Sequence, residues 1–336
     1  MSDDYDFDDT VPALDELLER MRVVAIPLRT RFRGQTVREL ALFEGPEGWT
    51  EFSPFPEYDD DEAVWWLRAA IEFGWRPSPA PVAGRGRIMV NATLPAVGPR
   101  DVARVLALYD GCRTVKVKVA ERGQMLSDDY ARVREVRSLL GPEGRIRIDA
   151  NAGWNLDEAE HAIHQLAEFD LEYVEQPCAT IDELAELRGR IAYLDIPIAA
   201  DESVRKAAEP LAVARAGAAD LIVVKAQPLG GVRRALAIVE EAGLPAVVSS
   251  ALESSVGIAM GAHLAAALPE LDYDCGLATV DLFEGDVARR SLVPHDGSIP
   301  VQRPEVDPEL LTRYAATPDR EQWWLDRLTR THALLA

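Results

Sequence analysis

The chain has 336 residues, of which 48% are apolar, so it can bury the core of one large domain or of two ordinary ones. A formal net charge of −21 disfavours binding to nucleic acid or to an anionic membrane surface, and it means that an anionic substrate needs a site with its own cations. No apolar run reaches about eighteen residues, the acidic start does not resemble a leader peptide, and the three cysteines are widely spaced. We therefore expect a cytoplasmic protein with reduced thiols.

The two ends of the chain are predicted to form a cap. Residues 21–55 read as a small antiparallel meander, which a helix over residues 59–74 follows, and the tail from residue 307 is helical. Neither end alone has enough apolar surface to fold by itself. We expect residues 1–86 and residues 290–336 to pair into an α+β cap, and residues 87–289 to form the domain that it covers.

From residue 87 onward, short β-branched runs alternate with helical stretches, several of which end in glycine. This rhythm predicts a closed parallel α/β barrel. A doubly wound open sheet is the competing fold, but the glycine-rich GxGxxG turn that it normally carries is absent from the sequence. The eight predicted strands lie in RIMVNATL, TVKVKV, RIRIDANAGW, EYVEQP, IPIAADES, LIVVKAQPLGG, PAVVSSALESS and, less clearly, CGLATVDLF.

The second of these strands has a charged face. In TVKVKVA, valine alternates with Lys116 and Lys118, and because strand side chains alternate between faces, both lysines point to the same side. A solvated edge strand would give the same pattern. A strand of a closed barrel would instead aim both lysines inward.

Further polar residues end the following strands. Asp149, Glu175, Asp201 and Lys225 are 26, 26 and 24 residues apart, which is one βα unit each time. Barrel active sites lie at the carboxyl ends of the strands, where a purely structural core would have Val, Ile or Leu. Each acidic residue alone could be a helix cap, but five consecutive strands with charge at one level would be costly to bury unpaired.

The chemistry of this set indicates enolisation. Three carboxylates with no His or Cys among them suit Mg²⁺, with Mn²⁺ as an alternative ion, rather than zinc. Lysines on both flanks and a divalent cation between them suit removal of the weakly acidic proton next to a substrate carboxylate. Lys116 is expected to lower the pKa of Lys118 and to help hold that carboxylate, and Lys118, nearer the strand end, is expected to reach the proton.

The motifs KVK, DANAGW, VEQP, ADES and VKAQPLGG, in this order, resemble the enolase superfamily, and the lysines on both flanks resemble its muconate-lactonizing subgroup. The resemblance covers almost the whole chain and implies a (β/α)7β modified TIM barrel with an α+β capping domain. Within the subgroup, residues 23–58, the motif SSALESSVG and the compact length are similar to the actinobacterial dehydratases of menaquinone biosynthesis. Their substrate is 2-succinyl-6-hydroxycyclohexa-2,4-diene-1-carboxylate.

The same resemblance implies a role for each site residue. Asp149, Glu175 and Asp201 would bind Mg²⁺, Lys118 would take the α-proton and assist departure of the hydroxyl group, and Lys225 would stabilise the enediolate from the other side. The remaining implied contributors are Asn151 and Glu202 as support for the ligands, and Gly230 and Ser250 in turns that receive the succinyl carboxylate. Apart from the resemblance, the loop over residues 29–34 has two readings: it closes over the site and supplies Arg31 or Arg33 to the anionic tail, or it is a plain solvated turn.

Two other functions stay open at this point. A racemase of N-succinylamino acids or a dipeptide epimerase also needs two opposed lysines, although TVDLFEGD lacks the Asp-x-Asp pair that typically ends the eighth strand of the epimerases. A non-catalytic barrel that serves as a binding protein would be expected to have lost a ligand or a lysine. A monomer suits the compact cap and the strongly negative charge.

Overall fold

The computed structural model describes residues 11–32, 34–205 and 209–335. Its amino-terminal part is an antiparallel sheet of three strands in the order β1, β2, β3, which confirms the predicted meander. Asp59 caps the following helix by accepting a hydrogen bond from the backbone N–H of Glu62. The elements are α1 (Leu14–Arg20), β1 (Arg22–Phe32), β2 (Gln35–Gly45), β3 (Gly48–Phe52) and α2 (Asp60–Trp75).

The central part is a parallel sheet of seven strands that curls into a barrel. Its strands are short and almost entirely buried, because helices cover the outside and side chains fill the inside. They follow one another in chain order: β5 (Ala92–Leu94), β6 (Thr114–Lys118), β7 (Arg145–Asp149), β8 (Leu171–Glu175), β9 (Ile198–Ala200), β10 (Leu221–Val224) and β11 (Ala246–Val248). The first predicted run is split, since β4 (Arg87–Met89) pairs outside this sheet with β12 (Ser298–Pro300).

The eighth predicted strand is not a regular strand. Residues 275–283 contribute two isolated parallel bridges, Cys275 to Val90 and Gly276 to Ser249, before a 3₁₀ helix over Thr279–Leu282. These bridges connect the two outer ends of the sheet, so the barrel closes with less hydrogen bonding than the prediction implied. The expected modified TIM barrel with an antiparallel cap is otherwise confirmed.

Helices follow the barrel strands, as the alternation of strand-like and helical runs predicts. Two short helices follow β9, one on either side of Pro210, whose ring and missing N–H are incompatible with a helix interior. The barrel helices are α3 (Val102–Leu106), α4 (Leu126–Leu140), α5 (Leu156–Leu166), α6 (Ile181–Arg190), α7 (Glu202–Arg205), α8 (Ala212–Arg215), α9 (Val232–Ala242) and α10 (Ser255–Ala267).

The carboxyl-terminal tail packs against the amino-terminal elements. It contains α11 (Pro308–Arg313) and α12 (Pro318–His332), and α12 lies against α1 and α2. Trp324 is fully buried and donates a hydrogen bond to Glu39 at 3.0 Å, and Arg327 donates to the carbonyl oxygens of Phe55 and Tyr58. Within the described ranges, none of the helices is long and apolar enough to cross a membrane.

Candidate active site

The barrel strands deliver charged side chains to one level at their carboxyl ends. Lys118, Asp149 and Glu175 are direct neighbours in the register of β6, β7 and β8. Asp201 follows β9 immediately, and Lys225 follows β10. Because inward-facing residues recur every second position, the layer beneath contains Lys116, Arg147, Tyr173 and Val223, each two residues before a member of the upper layer.

The carboxylates and the lysines contact one another in the closed space of the barrel. Lys116 Nζ lies 3.0 Å from both carboxylate oxygens of Glu175 and 3.4 Å from Asp149 Oδ2. Lys118 Nζ contacts Asp149 Oδ2, and Lys225 Nζ lies 2.5 Å from Asp201 Oδ2. All three carboxylates are fully buried. Every one of them is thus paired with a lysine, which offsets part of the cost of burying its charge.

These ion pairs determine how the acidic residues are arranged. In the part of the chain that the structure describes, no group of three or more His, Cys, Asp and Glu side chains is gathered as a metal site, because the carboxylates turn toward the ammonium groups. The three carboxylates nevertheless interact strongly. Burial and then the charge of Asp149 raise the pKa of Glu175 to about 7. A hard dication with oxygen ligands fits a buried set of three mutually repelling carboxylates.

The electrostatic environment distinguishes the two lysines of β6. Burial is the main cause that lowers the pKa of Lys118, and the charge of Lys116 acts in the same direction, against the carboxylate of Asp149. The pKa of Lys116 is instead raised, because the attraction of Glu175 and Asp149 outweighs burial. Lys116 is therefore a fixed cation, whereas Lys118 loses its proton more readily than an ordinary lysine.

Asn151 and Glu202 form a polar link beside these groups. Lys118 Nζ donates to Asn151 Oδ1 at 2.7 Å, and Asn151 Nδ2 donates to Glu202 Oε1 at 3.2 Å. Asn151 has a left-handed backbone with φ of +45°, a conformation that asparagine tolerates better than most residues. The turn after β7 thus aims the amide at the lysine.

A cavity opens above the charged layer, between the barrel and the cap. Phe32 and Phe55 line its cap side, and Lys116, Lys118 and Lys225 line its floor. Its far wall includes Ser249, Ser250, Leu252 and Thr279. Ser250 Oγ donates to the carbonyl oxygen of Gly276 at 2.7 Å and lies 3.0 Å from Thr279 Oγ1. Apolar rings above cations are a suitable environment for a flat, anionic ring compound.

Of the sequence-predicted site residues that the structure describes, Gly230 lies away from both this cavity and the charged layer beneath it. Gly230 has φ of +87° in the turn after β10, and a side chain there would meet Trp65 and Arg234, away from the cavity lining. The turn needs glycine for its backbone conformation and its close packing, and these needs account for the residue without a ligand. Arg33 lies outside the described residues. Arg31 is exposed and lines a groove that adjoins the cavity at Phe32, Lys118 and Asn151.

The sequence reasoning missed Arg205, which lines the cavity and contacts Asp201 and Glu202. Its position four residues after Asp201 was the available signal, since residues at that spacing share a helix face.

A second buried acidic pair lies behind the wall formed by residues 249–254. Glu51, on β3 of the cap, accepts hydrogen bonds from the backbone N–H groups of Ser254 and Gly257 and from Ser254 Oγ, at 3.1, 3.2 and 2.5 Å. Glu253 is 3% exposed, and burial and then the charge of Glu51 raise its pKa to about 8. Glu51 therefore binds the start of α10 to the cap and holds the cavity wall from behind.

Comparisons with known proteins agree with this architecture. Residues 100–305 match the family model of enolase C-terminal domain-like proteins, and residues 23–74 match that of enolase N-terminal domain-like proteins. A muconate lactonizing enzyme from Pseudomonas fluorescens, complexed with muconolactone, superimposes with a TM-score of 0.74 at 21% identity, covering 88% of this chain and 98% of that one. A dipeptide epimerase from Enterococcus faecalis, complexed with Mg and a dipeptide, gives 0.70 at 21% identity, covering 85% and 97%. At these identities the likeness establishes the fold alone.

Curated relatives are much closer in sequence. An o-succinylbenzoate synthase from Mycolicibacterium smegmatis is 55% identical over 326 residues, which is 97% of this chain and 99% of the relative. An o-succinylbenzoate synthase from Thermobifida fusca is 55% identical over 315 residues, 93% and 96% of the two chains. The resemblance inferred from the motifs is confirmed. The chain belongs to the enolase superfamily, in the family of the o-succinylbenzoate synthases.

Proposed function

We propose that this chain is an o-succinylbenzoate synthase, which dehydrates 2-succinyl-6-hydroxycyclohexa-2,4-diene-1-carboxylate to o-succinylbenzoate in menaquinone biosynthesis. The observation that carries the proposal is the identity of 55% to curated o-succinylbenzoate synthases over nearly the full length of both chains. The complete set of opposed lysines and buried carboxylates at one barrel end supports it independently.

Lys118 is the proposed base. Its lowered pKa lets it reach the neutral form more readily than a lysine in water, and it lines the cavity where the substrate would bind. After it takes the α-proton, the electron pair is held on the substrate carboxylate as an enediolate. This pair then forms a double bond from the α-carbon to the carbon that carries the hydroxyl group, whose C–O bond breaks on the same face. Lys118 then returns the proton to the departing oxygen, which leaves as water, and the ring becomes aromatic.

Lys225 and Lys116 are the proposed fixed cations. Lys225, at the end of β10, lines the cavity across the barrel from Lys118, at the end of β6, and stabilises the negative charge that develops on the substrate carboxylate. Lys116 lies one layer lower, where its raised pKa keeps it charged throughout the reaction. Positive charge on both sides of the substrate also explains how a chain of net charge −21 can bind a dicarboxylate, since the lysines attract it locally.

A divalent cation is the proposed cofactor, Mg²⁺ in the first place and Mn²⁺ as an alternative. Asp149, Glu175 and Asp201 would hold it, since they are buried oxygen donors whose mutual repulsion a dication relieves. When bound, the cation polarises the substrate carboxylate and so makes the α-proton more acidic. Asn151 supports this arrangement through its contacts with Lys118 and Glu202, and Glu202 lies next to Asp201.

The succinyl tail is proposed to lie along the cavity wall that contains Ser250. That wall carries small polar side chains, and the rings of Phe32 and Phe55 cover the opposite side. Arg31, near the end of β1, adjoins this space and supplies positive charge at its mouth. We further propose that residues 1–86 with 290–336 form the cap and residues 87–289 the barrel domain, and that the protein is a cytoplasmic monomer.

The test is a direct assay of the purified full chain with Mg²⁺. Dehydration of the cyclohexadiene acid is followed by the absorbance change on aromatisation, and deuterium exchange at the α-carbon of N-succinylamino acids is measured beside it. Rapid dehydration supports the proposal. Exchange and racemisation without dehydration would assign the same lysine pair to a racemase. If the protein catalyses neither dehydration nor exchange, a binding role is the reading that remains.

A further inference from the structure

Arg205 is a buried cation at the edge of the charged layer. It lies on α7, its side chain is only 3% exposed, and it lines the cavity. An arginine is rarely buried this deeply unless each donor has a defined partner, because an unpaired guanidinium would lose its hydration without compensation. The contacts of Arg205 therefore indicate what it does.

The guanidinium divides its donors among three partners. Nε lies 3.0 Å from Asp201 Oδ1, one terminal nitrogen lies 2.7 Å from Glu202 Oε1, and the other donates to the hydroxyl group of Tyr58 at 3.3 Å. Asp201 and Glu202 are consecutive carboxylates that repel each other. The planar fork of Arg205 can neutralise both and hold them at a fixed separation, which a single ammonium group cannot do.

These contacts leave the other oxygen of Asp201 in a defined position. Arg205 occupies Oδ1, so Oδ2 is the oxygen that faces into the barrel, where Lys225 Nζ lies 2.5 Å away. On the other side, Glu202 Oε1 accepts from Asn151, whose amide oxygen accepts from Lys118. Arg205 is thus the connection between the polar groups around Lys225 and those around Lys118.

We propose that Arg205 is a positioning residue for the metal site: it fixes Asp201 so that Oδ2 is presented to the cation, and it holds Glu202 against Asn151. The proposal rests on the proposed function only in taking Asp201 as a metal ligand. Partners that orient a metal ligand typically contribute about 10- to 100-fold to metal affinity. Loss of the guanidinium should therefore weaken Mg²⁺ binding itself, before any substrate is added.

The experiment compares Arg205→Met, Arg205→Lys and Tyr58→Phe with wild type by calorimetric titration with MgCl₂ in the absence of substrate. Arg215→Met is the matched control, since Arg215 lies on the neighbouring helix α8, is 59% exposed and pairs with Glu209 and Glu241 at the surface. Urea unfolding of each variant establishes that it is folded.

Arg205→Met should raise the Mg²⁺ dissociation constant by about 10- to 100-fold, and its kcat should recover in part at high Mg²⁺. Arg205→Lys should fall between Met and wild type, since one ammonium contacts one carboxylate at a time. Tyr58→Phe removes the hydrogen bond between Arg205 and the cap but leaves Arg205 its contacts with Asp201 and Glu202, and Arg215→Met touches neither carboxylate, so both should bind Mg²⁺ as wild type does.

A folded Arg205→Met variant with wild-type Mg²⁺ affinity would overturn the proposal, as would an equal loss in Arg215→Met. If Arg205→Met does not fold, Arg205→Lys decides: weaker Mg²⁺ binding supports the proposal, and unchanged binding refutes it. Failure of the wild type to dehydrate the cyclohexadiene acid would refute the proposed function instead, and the Mg²⁺ titrations would still test Arg205.

Discussion

Glu253 should make the stability of this protein depend on pH. Glu253 is 3% exposed within the segment that forms the cavity wall, and burial and then the neighbouring charge of Glu51 raise its pKa to about 8, against the attraction of Arg38 and Lys225. In the unfolded chain the same group titrates near pH 4.5. The folded protein therefore binds a proton that the unfolded chain has released throughout this interval.

The sign and size of the effect follow from this difference. Because its pKa is raised in the folded protein, the contribution of Glu253 to the free energy of unfolding is complete below about pH 4.5 and is lost as the pH rises toward 8. Each pH unit within the interval costs about 1.4 kcal/mol of unfolding free energy. Between pH 5.5 and 7.5, wild type should lose about 2 to 3 kcal/mol relative to a variant in which residue 253 does not titrate.

Glu253→Gln is that variant, because glutamine has nearly the shape of the protonated acid and keeps an oxygen that can accept from the backbone N–H of Ala251, 3.2 Å away in wild type. Urea unfolding of wild type and variant at pH 5.5, 6.5 and 7.5 gives the difference in free energy at each pH, and titrations common to both chains cancel. The control is Glu270→Gln, which removes a carboxylate from an exposed position.

The expected result is that Glu253→Gln gains on wild type as the pH rises, while Glu270→Gln stays parallel to wild type. A difference between Glu253→Gln and wild type that is the same at all three pH values would refute the reasoning. It would mean that Glu253 is ionised in the folded protein and that Arg38 and Lys225 compensate its burial.

Three further predictions concern the site and the tail. Lys118→Ala should lower kcat by about 10²- to 10⁴-fold while calorimetry still detects Mg²⁺ binding, and near-wild-type turnover would refute Lys118 as the base. Asp201→Asn should raise the Mg²⁺ concentration needed for half-maximal activity by at least about tenfold, because a charged ligand is lost; an unchanged metal dependence would remove Asp201 from the ligand set. Leu328→Ala, fully buried on α12, should cost about 2–5 kcal/mol in urea unfolding, whereas Leu334→Ala, at 44% exposed, should cost much less; equal losses would show that α12 does not pack as described.

The sequence contained enough information to predict the barrel and its charged layer. Parallel βα units repeat along the chain, and side chains alternate along each strand, so both features can be read within windows of about 25 residues. This is why Lys118, Asp149, Glu175, Asp201 and Lys225 could be assigned to one level, where the structure brings them together.

Local patterns were weaker guides where the chain is irregular. The run CGLATVDLF has the composition of a strand, but it joins the barrel sheet through two isolated parallel bridges and then forms a 3₁₀ helix. The glycines of QPLGG suggest a turn that receives a ligand, and the structure gives a separate reason for Gly230, its close packing against Trp65. The composition of a segment limits the conformations that it can adopt, and packing against the rest of the protein determines which of them is found.

Tertiary structure alone decided the contacts between distant parts of the chain. Glu51 accepts a hydrogen bond from Ser254, which lies 203 residues further along the chain, and Tyr58 accepts one from Arg205, which lies 147 residues further along. No periodicity encodes such pairs, since they depend on how the cap is seated on the barrel. The sequence by itself determined which chemical groups each strand carries to the mouth of the barrel. Packing between the cap and the barrel determined which of them are buried, which carboxylate oxygen each cation occupies, and hence how their pKa values shift.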